Sequence, residues 1–425
     1  MKHYFNKLRF HKVNLAISLL IVLTGLVLVV MDPPPVQLIR LGYFDQLQVL
    51  KPRIRLSPEA SPVVVVNIDE ESMDAHGKWP WDRRQWAKVV KNLYEAGAAA
   101  IVFDIVFAEE GRTGGDPDLV AAIKNGRVVL AMGQYWRNAD VPERQPLKKM
   151  IAIKKLRENA VDAQQYLPEI DFVLRNTPAI EKAAAGHGIY SSTFDLDGKM
   201  RVFPTILTHE GVMYPSLSLE AVRVATQKQF IVAGVNQAGV RGVILVDGIR
   251  VPTNAHGEIR LHYAHVAATS YIPAKNVVSG NFDPQKFKGK IAIIGTDAVG
   301  LGTQMATPIN SAMQSIEIQA QLIESILSNQ LLARPNYIKA VELITVFLMG
   351  VFLTLVMPVL TVRSGTVFVV LLSGLIVGTS WYLFASHRML IDASLPLLIA
   401  IMLYAVNLIL RSMRLEALAA TTDNN

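Results

Sequence analysis

The chain has 425 residues, of which 51% are apolar and 18% are charged, with a formal net charge of +7 and no cysteine. This composition excludes an intrinsically disordered protein, and the missing cysteine excludes a disulfide framework, a cysteine nucleophile and a thiolate metal site. A low charge fraction with a positive mean hydropathy is typical of a protein that has membrane segments.

An uncharged apolar run over residues 13–31 follows a basic leader over residues 1–12. The run is close to the roughly 20 residues that a helix needs to cross a bilayer, and the basic leader predicts a cytoplasmic N-terminus. A cleaved signal peptide is the alternative. Its apolar region would be only about 7–15 residues long and would end in small residues, whereas this run ends before Asp32 and a row of prolines. We therefore predict an uncleaved anchor.

Residues 32–336 have the pattern of a folded α/β domain. Short runs rich in β-branched residues predict buried strands, and apolar residues at three- and four-residue spacing predict helices. Strands that alternate with helices predict right-handed crossovers and a largely parallel sheet. The predicted strands cover residues 62–68, 98–107, 127–132 and 290–295, and the clearest predicted helices pass through Trp86, Val89, Val90 and Leu93 and span residues 316–329.

The middle of this domain has a different pattern. Residues 201–207, 242–250 and 258–263, with a turn at Asp247-Gly248, predict an antiparallel hairpin or meander added to the parallel sheet. Residues 137–177 are rich in charge and poor in strand signal, which predicts a helical insertion.

Three further apolar runs, over residues 338–360, 366–385 and 389–410, are each long enough to cross a bilayer. With the first run they predict four crossings, so that residues 411–425 form a cytoplasmic tail and residues 32–336 lie outside the cytoplasm. The predicted fold class is therefore an α/β extracytoplasmic domain, with a mainly parallel sheet and an added antiparallel hairpin, plus four transmembrane α-helices. The predicted location is the cytoplasmic membrane.

Three aspartates accompany the predicted strands. Asp69 and Asp297 follow strands directly, and Asp104 interrupts one. If the strands before Asp69 and Asp297 are parallel neighbours, these two aspartates lie at the carboxyl edge, where open α/β sheets form ligand crevices. Together with a hydroxyl from Ser72, these carboxylates would suit a small cationic or polyhydroxylated ligand.

Trp79 and Trp81, on either side of Pro80, are the candidate walls of this crevice. The alternative is a purely structural role for the whole group. In that case Asp69 caps a turn, Ser72 caps a helix, and the Trp-Pro-Trp motif plugs the base of the core.

Signals for an enzyme or a metal site are weak. Asp195 to Gly198 resembles the opening of a calcium loop, but position 12 of that loop would be Ile206, which cannot ligate, so a turn is expected. His187, between two glycines, has no catalytic partner at a diagnostic spacing and is expected in a flexible turn. We predict no catalytic residue, no metal and no cofactor. The net charge is positive, but the sequence has no motif that combines aromatic and basic residues to bind nucleic acid. No nucleic-acid partner is therefore expected.

Several short motifs follow one another along the chain. They are Ile68-Asp69-Glu70-Glu71-Ser72, Gly77-Lys78-Trp79-Pro80-Trp81-Asp82-Arg83, Gly97-Ala98, Phe103-Asp104-Ile105-Val106-Phe107, Gly186-His187-Gly188, Pro215-Ser216-Leu217 and Thr307-Pro308. With these motifs in this order, roughly residues 40–335 resemble the second class of CHASE sensory domain. This domain is the extracytoplasmic input module of bacterial receptors, and three membrane spans after it are the family's usual arrangement.

The resemblance implies a receptor that detects an extracytoplasmic ligand or protein and passes the signal to a cytoplasmic adenylate cyclase, diguanylate cyclase or kinase. Residues 411–425 are too short to fold as such an output, so we expect no enzymatic activity from the residues present. The output is expected either in a continuation of the chain or on a partner chain. Receptors of this kind imply a homo-oligomer, a dimer or higher, in contact with bilayer lipid. A non-enzymatic envelope scaffold or assembly module is the alternative.

Overall fold

A computed structural model describes residues 2–135, 151–155, 162–190, 193–237, 239–245, 248–266, 271–298 and 301–422. The chain forms two compact units, one of Met1–Lys51 with Arg334–Asn425 and the other of Pro52–Ala333. We name them the helical unit and the α/β unit.

The α-helices among the described residues are α1 Lys2–Met31, α2 Pro34–Leu50, α3 Glu70–His76, α4 Arg83–Glu95, α5 Asp116–Ile123, α6 Pro178–Ala183, α7 Leu217–Ala225, α8 Ala274–Ser279, α9 Ser315–Leu327, α10 Ile338–Val356, α11 Val362–His387 and α12 Ser394–Thr422.

The strands are β1 Val63–Ile68, β2 Ala100–Phe103, β3 Val128–Tyr135, β4 Ile151–Lys155, β5 Phe172–Leu174, β6 Gly186–Tyr190, β7 Val202–Pro204, β8 Ile206–His209, β9 Val212–Pro215, β10 Ile231–Asn236, β11 Gly239–Leu245, β12 Arg250–Val251, β13 Glu258–Arg260, β14 Tyr271–Pro273, β15 Ile291–Thr296, β16 Gln304–Met305 and β17 Met313–Gln314.

Among the described residues, the helical unit contains four helices long and apolar enough to cross a membrane, which agrees with the four candidate spans predicted from the sequence. They are Lys12–Met31, Ile338–Val356, Val362–His387 and Ser394–Glu416. Apolar residues of α1, α10 and α12 form the core of this unit. The helices α1 and α10 approach closely at Gly350, where a Cβ atom would lie 2.6 Å from Cγ2 of Val22.

Two arginine–carboxylate pairs lie among the ends of these helices. Both terminal nitrogens of Arg334 donate to Glu342, at 2.8 and 2.9 Å, and Glu342 also accepts from the backbone nitrogen of Asp392 at 2.8 Å. Arg40 of α2 donates to both oxygens of Asp32, at 2.7 and 2.8 Å. Bidentate pairing of this kind fixes the orientation of both partners. The link between α1 and α2, and the start of α10, are therefore held by specific polar contacts.

The α/β unit is built on a seven-stranded sheet with the order β14-β1-β15-β2-β3-β5, and β6 also pairs with β3. All of its pairings are parallel except that of β3 with β5. Strands β1, β2, β3 and β15 lie within or near the four predicted runs. The mainly parallel α/β architecture is thus confirmed.

Helices cover both faces of this sheet. On one face, Val64, Val66 and Ile68 of β1 pack in a core with residues of α4, α5 and α8. On the other face, Val63 and Val65 pack in a second core with residues of α7 and α9. Because both faces are buried, the strands are continuous apolar runs, as expected for a parallel sheet.

The prediction that the antiparallel strands join the parallel sheet was wrong. Strand β11 pairs with β10 and β12 in a separate four-stranded sheet, and β7 pairs with β13 in a two-stranded one. Alternation along a strand predicts pairing but not the partner, because the partner depends on long-range register. The predicted turn residue Asp247 lies outside the described residues.

The predicted helical insertion at 137–177 was wrong for most of its described residues, of which only Ala163–Gln165 form a 3₁₀ helix. Residues 151–155 form β4, which pairs in parallel with β10, and residues 172–174 form β5 on the edge of the main sheet. Tertiary pairing overrides a weak local signal in segments this short. Residues 137–150 and 156–161 lie outside the described residues.

His187 lies in strand β6 and not in the flexible turn predicted for it. The glycines beside it allow close packing. A Cβ atom on Gly188 would overlap the backbone of Leu217 at the start of α7, so only glycine lets the helix approach the strand.

Candidate ligand-binding site

Three aspartates lie at the carboxyl ends of three adjacent parallel strands. Asp69 follows β1, Asp297 follows β15, and Asp104 follows β2, in the spatial order β1-β15-β2. The strands before Asp69 and Asp297 pair in parallel up to Ile68 and Thr296, so the condition for a shared carboxyl edge is met. Asp104 does not interrupt a strand as predicted, because β2 ends at Phe103.

After β1 and after β15 the chain turns toward opposite faces of the sheet. After β1 it enters α3, whose Met73 packs against the core shared with α4. After β15 it leads to α9, whose Ile316 and Ile323 belong to the core on the other face. A topological switch point at the carboxyl edge is the place where open α/β sheets generally form the crevice that binds a ligand. We name this place the crevice and define it by Asn67, Asp69, Asp104, Asp297 and Gln314.

Asp69 is the N-cap of α3. Its Oδ1 accepts a hydrogen bond from the backbone nitrogen of Ser72 at 2.8 Å, which satisfies one free N–H of the first turn. The Ser72 side chain is fully buried, and its Oγ accepts from the backbone nitrogen of Lys275 in α8 at 3.1 Å. The structure therefore uses the Ser72 hydroxyl to join α3 to α8.

The two tryptophans pack around Trp86 of α4. Trp81 is 3% exposed, its ring centroid lies 5.1 Å from that of Trp86, and its Nε1 donates to the carbonyl oxygen of Gly77 at 2.8 Å. Trp79 is half-buried, with its ring centroid 6.1 Å from that of Trp86. Trp81 belongs to the core under α4 and Trp79 packs against it. The structure does not bring either indole into contact with the aspartates.

Asp297 lies half-buried between polar neighbours from two elements. Nε2 of Gln314 donates to its backbone oxygen at 3.3 Å, and the side chain of Asn67 in β1 is near enough to affect the pKa of its carboxyl group. Burial raises the pKa of Asp297, the nearby Asn67 amide opposes that rise, and the nearby carboxylates of Asp69 and Glu70 add to it. Asp297 thus lies in an acidic neighbourhood.

Asp104 lies deeper. Burial raises the pKa of its carboxyl to about 7, and a hydrogen bond with Ser315, the first residue of α9, partly opposes that rise. Asp104 therefore changes charge near neutral pH. The start of α9 therefore lies near two of the three aspartates, with Gln314 bonded to the backbone of Asp297 and Ser315 affecting the pKa of Asp104.

The sequence interpretation missed Asn67, Gln314 and Ser315. Asn67 carried a signal, because it is a polar residue inside an otherwise apolar strand and the chain buries it to 5% exposure. Gln314 and Ser315 carried no recognisable signal, since only the fold brings the start of α9 to this edge.

A buried ion-pair network between the start of the α/β unit and α9 was also missed. Nη1 of Arg53 donates to Glu324 at 2.7 Å, with side-chain exposures of 3% and 0%. Arg55 pairs with Glu317, and its Nε lies 3.3 Å from Glu324. The hydroxyl of Tyr271 donates to Glu317 at 2.6 Å, and burial together with that carboxylate raises the pKa of Tyr271.

No group of three or more His, Cys, Asp or Glu side chains is arranged to hold a metal ion in the part of the chain that the structure describes. The calcium-like motif at Asp195 is the expected turn, with the backbone nitrogen of Gly198 donating to the carbonyl oxygen of Asp195. Asp195 and Asp197 both pair with the buried Arg201, at 2.8 and 2.6 Å. Their carboxylates therefore pair with the guanidinium group of Arg201.

The comparisons with known proteins give one result. No curated protein and no solved structure matches the chain. The family model of the CHASE2 domain matches residues 19–358, which is well over half of the sequence. The chain therefore belongs to the CHASE2 domain family, a family of sensory domains of signalling receptors.

Proposed function

We propose that this chain is the sensory and transmembrane part of a bacterial signal-transduction receptor. Its α/β unit lies outside the cytoplasm and detects a ligand or protein there. The spans pass the signal to a cytoplasmic adenylate cyclase, diguanylate cyclase or kinase, in a homo-oligomer. Membership of a sensory family and the four apolar helices support this proposal. The described residues themselves act without catalysis.

The observation that carries the proposal is the position of α9. At its start, Nε2 of Gln314 donates to the backbone oxygen of Asp297, and Ser315 is near enough to Asp104 to lower the pKa of its carboxyl group. Along its length, Glu317 and Glu324 bind Arg55 and Arg53, which follow α2 in the chain by only a few residues.

The last residue of α9 is Leu327, and the next helix in the chain is the candidate span α10. One rigid helix therefore links the crevice to the two chain segments that lead to the spans. A ligand that favours one position of α9 would shift the population of arrangements of those segments.

The proposed topology predicts which sites can be labelled from outside the cell. The chain has no cysteine, so each introduced cysteine is a unique label. We expect the exposed variant Lys78→Cys to react with a membrane-impermeant maleimide in intact cells. The exposed variant Arg363→Cys, at the start of the third candidate span, should react only after the membrane is permeabilised. The reverse pattern would overturn the topology.

Sensing predicts that a stimulus stabilises the protein. We expect at least one fraction of an extract from the source cells and their medium to shift the urea unfolding midpoint of the full chain in nanodiscs. A ligand at 100 times its Kd adds about 2.7 kcal/mol. Reversal of charge in Asp297→Lys should abolish this shift, whereas the exposed control Glu110→Lys should keep it.

The alternative, an envelope scaffold, gives different outcomes in the same experiment. If no fraction stabilises the wild-type chain, the scaffold role is favoured. If a fraction stabilises Asp297→Lys as well as the wild type, the chain senses its stimulus elsewhere than in the crevice.

A further inference from the structure

An apolar groove lies among three helices of the helical unit. Its walls are residues of α1 and α12 together with Val36 and Ile39 of α2, and the lining residues are apolar except Thr24 and Ser394. The groove has a volume of about 250 Å³. An apolar cavity of only about 150 Å³ stays dry and binds benzene, so this groove is large enough for part of a hydrocarbon chain.

The groove occupies one half of the candidate spans that line it. On α12 it covers residues 394–402, which is about 12 Å of helix, whereas the candidate span is Ser394–Glu416. On α1 it covers residues 21–28, in the second half of Lys12–Met31. One leaflet of a bilayer provides about 15 Å of hydrocarbon, half of the ~30 Å core. The groove therefore extends from the end of a span to near the middle of the bilayer.

Charged side chains gather where the groove begins. A polar cavity of about 40 Å³ shares Val36 and Leu395 with the groove. Its charged lining residues are Asp32, Arg40, Arg334, Lys339, Glu342 and Asp392. Asp32 follows α1 and Asp392 precedes α12, so these charges lie at the depth where lipid headgroups begin.

Lys339 is the cation of this cavity that keeps donors for a ligand. Each arginine of the cavity is held by both oxygens of a carboxylate. Among the described residues, no carboxylate forms a salt bridge with Lys339, whose Nζ donates to the carbonyl oxygen of Val30 at 2.9 Å. An ammonium group has three donors, so two remain on this exposed side chain.

The carboxylates of the cavity do not oppose an anion at Lys339. Asp32 and Glu342 are neutralised by the two arginines. Asp392 is only 5% exposed, and its Oδ1 accepts from the backbone nitrogen and the hydroxyl of Ser394, at 2.8 and 2.5 Å. The accessible charge at the end of the groove is therefore that of the lysine.

These features select among the possible occupants. An apolar groove that ends at a cation matches an amphiphile with an anionic head. A helix of a second copy would run along a whole span, whereas the groove ends near the middle of the bilayer, as an acyl chain does. A membrane phospholipid supplies both parts, because its phosphodiester accepts charge-assisted hydrogen bonds from an ammonium group.

We propose that this groove binds one acyl chain of a phospholipid, whose phosphodiester accepts hydrogen bonds from Lys339. The lipid fills the space between α1, α2 and α12 and holds these helices together through dispersion contacts. This inference goes beyond the sensory function, because it assigns a lipid site to the helical unit and does not involve the crevice.

The test measures lipid binding to the full chain in detergent by native mass spectrometry. The probes are palmitoyl-oleoyl phosphatidylglycerol, palmitoyl-oleoyl phosphatidylethanolamine, palmitoyl-oleoyl glycerol, which lacks the phosphate, and glycerophosphoglycerol, which lacks acyl chains. We expect both phospholipids to bind more tightly than the diacylglycerol, and glycerophosphoglycerol not to bind. If the diacylglycerol binds as tightly as the phospholipids, or if glycerophosphoglycerol does, the proposal is wrong.

Two tryptophan variants of α12 locate the acyl chain. Leu398 lines the groove and Ile401 does not, although both are exposed, at 40% and 49%. Leu398→Trp fills the groove and should weaken phospholipid binding about tenfold or more. Ile401→Trp, the matched control, should bind as the wild type does. Equal affinities in the two variants would place the lipid elsewhere.

Two variants of Lys339 locate the headgroup. Lys339→Ala should weaken binding of phosphatidylglycerol about fivefold and leave the diacylglycerol unchanged, because it removes one basic group at the lipid surface. Lys339→Arg keeps the charge and should bind phosphatidylglycerol nearly as the wild type does. Unchanged affinity for phosphatidylglycerol in Lys339→Ala would refute the contact with the phosphodiester.

The same spectra give the oligomeric state. If Leu398→Trp breaks up an oligomer of the wild-type chain while lipid binding stays unchanged, a second copy occupies the groove and the proposal is refuted. The sensory function is tested separately, by the extract fractions and Asp297→Lys, so the failure of either proposal leaves the other standing.

Discussion

Replacing Trp86 with alanine is expected to lower the free energy of unfolding by about 3–5 kcal/mol. Trp86 is fully buried in α4, and its ring centroid lies 5.1 Å from that of Trp81 and 5.7 Å from that of Phe103 in β2. Its removal leaves a cavity between the helix and the sheet that the surrounding rings can fill only in part. The measurement is pulse proteolysis of the full chain in nanodiscs across a series of urea concentrations.

Two control variants belong to this experiment. Trp86→Phe keeps much of the volume and should cost less than alanine does. Lys88→Ala changes an exposed residue of the same helix and should stay within about 0.5 kcal/mol of the wild type. A loss below about 1 kcal/mol for Trp86→Ala would show that this face of the sheet is not packed as the structure has it.

The core around Trp86 was largely predictable from the sequence. The spacing of Trp86, Val89, Val90 and Leu93 places one face of α4 on the sheet, and all four residues are fully buried. The apolar runs around β1 and β15 predicted strands, because a strand that is buried on both faces does not need polar residues at alternate positions. The local sequence pattern was sufficient for these elements, because the spacing of apolar residues within one helix or strand shows which of its faces is buried.

Local pattern was not sufficient for strand partners or for the site. Strand β15 lies between β1 and β2, although more than 180 residues separate it from either of them in sequence. Only that insertion brings Asp297 between Asp69 and Asp104. The start of α9 reaches the same edge by another long connection, so its contacts with the aspartates could not be derived from spacing.

The tryptophan motif shows the limit of assigning a ligand role from residue type. An aromatic pair near carboxylates suits a cation, but it equally suits a core, and the sequence left both open. In the structure Trp81 and Trp79 pack around Trp86, while Gln314 bonds to the backbone of Asp297 and Asn67 lies near its carboxyl group. Which side chains meet depends on the direction in which each element leaves the sheet.

The buried ion network predicts a second large effect. Replacing Glu324 with alanine is expected to lower the free energy of unfolding by about 3–5 kcal/mol, because it leaves charged guanidinium groups buried without their counterion. Glu324 lies 2.7 Å from Nη1 of Arg53 and 3.3 Å from Nε of Arg55, and those side chains are only 3% and 7% exposed. Pulse proteolysis in urea, on the full chain in nanodiscs, gives the difference.

An exposed ion pair is the matched control. Lys91 and Glu95 of α4 lie 3.8 Å apart, and their side chains are 72% and 64% exposed. Exposed pairs of this type contribute little, so Glu95→Ala should change stability by no more than about 0.5 kcal/mol. If Glu324→Ala costs no more than this control, water reaches the network and Arg53 is not buried as the structure has it.

A milder variant separates stability from signal transfer. Glu324→Gln keeps the shape and one acceptor oxygen for Arg53, so it should fold while weakening the link between α9 and the segment that follows α2. In hydrogen exchange of the full chain, we expect the amides of residues 53–56 to exchange faster than in the wild type, with those of β15 unchanged. Unchanged exchange at residues 53–56 would mean that the backbone bond from Arg53 to Tyr263, at 2.8 Å, holds this segment without the ion pair. The link from the crevice through α9 would then end before it reaches the spans.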